Sequence, residues 1–154
     1  MGIRYVDTDH TSLEQVRPLW ERLRDHHAAL SVHFAEQIAK NTYDDRVKAL
    51  RERAELGSLK VILVQEGAAD TLVGYGIASI DQQGQGEIDS LYVLDEYRGC
   101  GLGHELMDRM LRWLGGQGVH NIGISVLFGN EQVFRFYAKY GFYPRAYLLK
   151  PKGS

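Results

Sequence analysis

Apolar residues alternate in some stretches of this chain and recur at helical intervals in others, and each stretch predicts an element. Ile3 to Val6 alternates and predicts a short N-terminal strand joining a larger sheet. Thr11 to Glu14 has capping-box spacing, and Leu13, Val16, Leu19, Trp20 and Leu23 follow at helical intervals, predicting an amphipathic helix kinked at Pro18. Ser31 to about Leu56 carries Phe34, Ile38, Val47 and Leu50 among charges and loosens near Asn41 to Asp44, which predicts two helices or one bent helix. Leu59 to Gln65, Leu72 to Ile80 and Glu87 to Val93 are rich in Val, Ile, Leu and Tyr and read as an antiparallel meander at the centre of the sheet. After Gly103, Leu106, Met107, Met110, Leu111 and Leu114 fall on one helix face, with Gly115 and Gly116 placed to stop it. Asn121 to Leu127 predicts another strand. Asn130 is placed to cap a helix through Val133, Phe134 and Tyr137, which Gly141 ends before a last strand, Phe142 to Leu149.

Composition narrows the class. At 154 residues, with 44% hydrophobic and 25% charged, residues 1–154 suit one globular domain. A formal net charge of -2 without a long basic block argues against a nucleic-acid partner. The lone Cys100 supplies neither an internal disulfide nor a thiolate zinc site, which favours a reducing, cytoplasmic setting. Met1 to Val6 has no apolar leader core, Val6 spoils a myristoylation pattern, and the aliphatic run Val61 to Val64 is far too short to span a bilayer, so no membrane attachment is expected. No metal is expected either: His104-Glu105 is followed by Asp108 where a metalloprotease helix needs histidine. His26, His27 and His33 read as solvated residues of the N-terminal helices, acceptor contact by His33 or His26 being the alternative.

The chemistry concentrates where the strand Glu87 to Val93 runs through Leu94 to Tyr97 into Arg98, Gly99, Cys100, Gly101, Leu102 and Gly103. A helix beginning inside that glycine group points unpaired N–H groups and its positive dipole end at open space, and missing side chains let a pyrophosphate approach. A dinucleotide fingerprint fails on spacing, because the third glycine position holds His104 or Leu106, and the Gly-Lys-Ser/Thr of a Walker loop is absent. Arg-x-x-Gly-x-Gly at Arg98, Gly101 and Gly103 fits without a gap.

With this loop, the order of elements, and the later block of Asn130, Tyr137, Gly141 and Phe142, the chain resembles the GNAT superfamily of acyl-CoA-dependent N-acetyltransferases. The resemblance implies an α+β, three-layer fold whose mixed, mostly antiparallel sheet splays at the acyl-CoA site. It implies that backbone amides of Arg98 to Gly103 hold the pyrophosphate of acetyl-CoA, that Leu91, Tyr92 and Val93 pair with the pantetheine arm and polarise the thioester, and that Asn130 contacts the cofactor.

Tyr137 matches the position that protonates departing coenzyme A, a thiol whose pKa near about 8.5 makes a proton donor useful. The other reading places Tyr137 in an aromatic helix surface with Phe134, Phe136 and Tyr140. The acceptor, a small-molecule or protein amine, needs a base: Glu87 is the first choice and Asp89 the second, acting directly or through water, and either also reads as a solvated strand-end residue. In a regular strand Glu87, Asp89, Leu91 and Val93 share one face. Cys100 reads as a small loop residue rather than a nucleophile. A homodimer is common among similar proteins, though no patch here specifies one. A non-catalytic acyl-CoA-binding or regulatory module on the same fold is the alternative function, and a nucleotide-dependent oxidoreductase is disfavoured by the glycine spacing.

Overall fold

The structure, a computed structural model, describes residues 2–153. Met1 and Ser154, the ends of the expected 1–154 domain, and the first residue of the Met1–Val6 reading lie outside the described residues. The strands line up in chain order across one sheet: β1 (Ile3–Thr8), β2 (Ser58–Glu66), β3 (Thr71–Ile80), β4 (Gly86–Val93) and β5 (Ile122–Ile124). The first three pairings are antiparallel and the last, β4 with β5, is parallel, which requires a crossover connection.

That crossover is α4 (Leu102–Gly116), whose Leu106, Met107, Met110 and Leu114 pack on Ile62, Val64, Val73, Ala78, Ile88 and Val93. The opposite face is covered by α1 (Leu13–Leu30) and α3 (Tyr43–Leu56), which bury Leu13, Val16, Leu19, Tyr43, Val47 and Leu50 against Val61, Leu63, Tyr75 and Ile77. The result is the expected helix, sheet, helix sandwich. A short α2 (Ala35–Ala39) separates α1 from α3, so Ser31 to Leu56 forms two helices, and Thr42 starts the second by accepting the Asp45 N–H on its side chain. After β5 come a single 3₁₀ turn (Glu131–Val133) and α5 (Phe134–Ala138). No helix among the described residues is long and apolar enough to cross a membrane.

Several local expectations change. Asp9, not Thr11, caps the entry to α1: its side chain accepts the Thr11 N–H, and a 3₁₀ turn (His10–Ser12) precedes the helix. Gly115 and Gly116 remain inside α4, and the stop comes at Gly118, in the left-handed region (φ 77°), where the Val119 N–H reaches back to the Leu114 carbonyl.

The strand expected over Asn121 to Leu127 shrinks to β5, because β4 moves away after Ile88. Phe142 to Leu149 forms no strand: Pro144 removes a backbone donor, and β5 offers only a three-residue edge. Tyr143, Tyr147, Leu148 and Leu149 stay exposed. The expected common face of Glu87, Asp89, Leu91 and Val93 is also corrected. Ile88 pairs with Ala78 and Ser90 with Ile77, so Asp89 is an extra residue in a bulge and the alternation reverses across it. Glu87 and Asp89 therefore face α3, while Leu91 and Val93 belong to the α4 side.

Candidate active site

Pairing of β4 with β5 runs from Gly86↔Ile122 to Ile88↔Ile124 and then stops. Beyond Ile88 the two strands splay, opening a cleft of about 770 Å³ between them. The free edge of β4 lies along it. The Leu94 N–H turns inward to the Val73 carbonyl, whereas the Val93 carbonyl turns outward and accepts from Arg98 Nε at 3.1 Å, so by alternation the peptide groups of Leu91 and Val93 face the cleft. Leu91, Tyr92 and Val93 all line it.

At one end, β4 leads through a 3₁₀ turn (Asp95–Tyr97) to Arg98 and the glycines. Gly99 and Gly101 both adopt left-handed backbone, with φ of 81° and 83°, and a Cβ on either would meet only open space. Gly101 caps α4, so the first helical hydrogen bond is Glu105 N–H to the Gly101 carbonyl. The N–H groups of Gly99 to His104 find no acceptor among the described residues. They form a ready anion cradle at the positive end of a fifteen-residue helix. Arg98, Gly99, Gly101, Leu102 and Gly103 line the cleft; Cys100 is exposed and points elsewhere. Arg98 is tied back by an ion pair with Asp95 at 3.0 Å and lies over the Tyr92 ring.

The far wall comes from the turn before α5. Asn130 stands at the N-cap position, but its side chain makes no capping bond; instead Oδ1 is buried without a partner while the residue lines the cleft. A buried amide oxygen left unpaired suits a donor arriving with a ligand. Tyr137 also lines the cleft, its hydroxyl has no partner among the described residues, and burial pushes its pKa up, so the phenol stays protonated at neutral pH. These groups fit the parts of coenzyme A: a cradle for the pyrophosphate, an open strand edge for pantetheine amides, and a protonated phenol near the splay.

The two candidate carboxylates share one arginine. Arg53 of α3 donates through Nη1 to Glu87 Oε1 at 2.8 Å and to Asp89 Oδ1 at 2.7 Å. Glu87 does not line the cleft, whereas Asp89 does. The Asp89 side chain is 0% exposed and its Oδ2 has no partner. Its pKa is pushed up to about 6, by burial first and by the Glu87 charge in addition, against the pull of Arg53. His26 and His27 line the cleft as well; His33 stacks on Phe128 instead. Sequence reasoning missed Arg53, Arg46, Trp20 and Leu23, the last three of which line the cleft, because helix periodicity marks none of them as different from core or surface.

Among the described residues no group of acidic, histidine or cysteine side chains is placed to hold a metal ion. The model of the acetyltransferase (GNAT) family matches residues 16–142. A mycothiol acetyltransferase from Propionibacterium freudenreichii subsp. shermanii is 33% identical over 119 residues, which is 75% of this chain and 37% of that protein. The chain thus spans little more than a third of that relative's length. Among solved structures, a GCN5-related N-acetyltransferase from Ralstonia eutropha JMP134 superposes with a TM-score of 0.76 at 21% identity, covering 97% of this chain and 98% of that one. AAC(6')-Iy, in complex with the bisubstrate analog CoA-S-monomethyl-acetylneamine, gives a TM-score of 0.66 at 17% identity, covering 98% and 99%.

Proposed function

The chain belongs to the acetyltransferase (GNAT) family, and on that premise we propose that it is a cytoplasmic, single-domain N-acetyltransferase moving the acetyl group of acetyl-CoA directly onto a primary amine. The observation that carries this reading is the run of unfilled backbone N–H groups from Gly99 to His104, set at the mouth of the β4–β5 splay.

When bound, acetyl-CoA supplies a thioester whose acyl carbon takes the amine lone pair and whose sulfur leaves. The Gly99 to His104 amides hold the diphosphate, and the outward peptide groups of Leu91 and Val93 align the pantetheine arm, one N–H polarising the thioester carbonyl. Asn130 Oδ1 accepts a hydrogen bond from the arm. Asp89 takes the proton that the amine loses as the N–C bond forms; a carboxyl near pKa 6 is ionised at neutral pH yet more basic than an ordinary aspartate. Tyr137 gives its proton to the sulfur as the C–S bond breaks. Glu87, one step behind, shares Arg53 with Asp89 and adds the charge that helps raise it.

An amine panel with acetyl-CoA, read as release of free thiol, tests the reading. Acceptor-dependent release is expected; slow hydrolysis that no amine accelerates would instead identify a binding module without transfer chemistry.

A further inference from the structure

The end of the cleft away from the glycines is bounded by α1, α2 and α3, with Trp20, Leu23 and Ile38 as its apolar lining. One cation there is unlike the others. Arg17, Arg24, Arg53 and Arg109 are half-buried, and each holds at least one carboxylate. Arg46 is also half-buried and lines the cleft, yet no carboxylate lies within ion-pairing distance of it among the described residues. The one hydrogen bond of its side chain among the described residues, from Nη2 to the Asp89 carbonyl, is long at 3.3 Å. A guanidinium has five donors, so most of this fork is open. The Asp89 carboxylate does not satisfy it from the side-chain end: Oδ1 is held by Arg53 and Oδ2 has no partner.

The neighbouring basic groups do not share the role. Arg24 is taken up by Asp25 and by the Asn41 carbonyl. Burial first, and His26 next, pushes the His27 pKa down, leaving that ring neutral at neutral pH. Arg46 is therefore the guanidinium of the acceptor end that holds no carboxylate among the described residues, beside Asp89. Glu87 and Asp89 are both paired to Arg53, so a polyamine would meet carboxylates already engaged and a guanidinium without one.

We propose that Arg46 anchors a carboxylate on the acceptor, so that the chain acetylates a primary amine bearing a carboxylate within a few bonds of its nitrogen, an α-amino acid with an apolar side chain being the class that fits. The inference rests on the acetyl-transfer reading above. The fork binds the carboxylate in two parallel hydrogen bonds, the adjacent Asp89 receives the amine's proton, and Trp20, Leu23 and Ile38 receive the side chain.

Thiol release with acetyl-CoA should be compared for L-phenylalanine and L-leucine against phenethylamine and isopentylamine, the same molecules without the carboxylate. The amino acids are expected to show kcat/KM higher by about tenfold or more, the worth of a charge-assisted pair. Arg46→Gln should bring that ratio to about one through KM, and Arg46→Lys, which keeps the charge and loses the fork, should leave an intermediate ratio. Equal or better use of the simple amines by the wild-type chain, a measurement that needs no variant to fold, overturns the inference while leaving acetyl transfer standing. A ratio that survives Arg46→Gln overturns it too. Thiol release with neither set overturns the inference as well, and acetyl transfer itself falls only if no amine of the wider panel releases thiol.

Discussion

The two ends of the cleft are made of different material. The glycine end is main chain: consecutive amides from Gly99 to His104 and the outward peptide groups of Leu91 and Val93, supplied by one continuous stretch of β4, loop and α4. The acceptor end is side chain: Asp89 from a bulge, Arg53 and Arg46 from α3, Trp20 and Leu23 from α1, brought together across more than thirty residues of sequence. Main-chain donors cannot be mutated away, which suits a constant ligand, whereas a side-chain wall can change without disturbing the sheet. The difference predicts opposite behaviour under mutation: backbone conformation should control cofactor affinity, and charge should control turnover.

The sharpest break is at Asp89. Asp89→Asn removes the base and should lower kcat/KM by about a hundredfold to ten-thousandfold. Glu87→Gln, which leaves Asp89 paired to Arg53, should cost far less. The wild-type pH profile carries its own check. The base works ionised, so kcat/KM should fall as pH drops through about 6, and that limb should vanish in Asp89→Asn. A larger loss in Glu87→Gln would return the role of base to Glu87.

At the other end, Gly101→Val forces a β-branched residue into left-handed backbone and should weaken acetyl-CoA binding about a hundredfold in calorimetry. Gly103→Ala is the control. Gly103 has ordinary helical backbone, and its added methyl would sit 3.5 Å from the Phe136 ring, an ordinary contact, so affinity should be nearly retained. If both variants bind alike, the left-handed turn is not what shapes the cradle. Tyr137→Phe keeps the ring and drops the proton donor; turnover should fall about tenfold, a modest loss for a thiol that already leaves readily.

The same contrast explains what could be read in advance. Glycines mark a backbone site because the reason for them is local: φ near 80° at Gly99 and Gly101, and a helix start that needs no side chain. The meander and the α4 face were legible for the same reason, being periodic over a few residues. Placing Glu87 ahead of Asp89 had no local warrant, because the choice between them turns on a bulge set by β3 pairing, and a single inserted residue reverses every side chain beyond it. Arg53 and Arg46 were invisible because their meaning lies in β4, some forty residues on. The last strand failed on a non-local condition too: Phe142 to Leu149 has strand-like composition but no adequate edge to pair with.

Asn130 tests where the two materials meet, with the smallest expected effect. Its buried Oδ1 lacks a partner in the free protein, so the residue stands at the cleft with an unpaid desolvation cost of about 1–3 kcal/mol. Asn130→Ala deletes that oxygen. The free chain should then lose little thermal stability or gain some, since the lost packing is offset by removal of an unpaired polar atom. With acetyl-CoA the sign reverses: the wild type satisfies Oδ1 only in the complex, so the variant should bind about threefold to tenfold more weakly, the worth of one hydrogen bond. The increase in Tm that acetyl-CoA gives should shrink correspondingly. A variant that loses stability in the free state and keeps its full ligand-induced shift would make Asn130 a structural turn residue, and the cofactor wall would then belong to the main chain throughout.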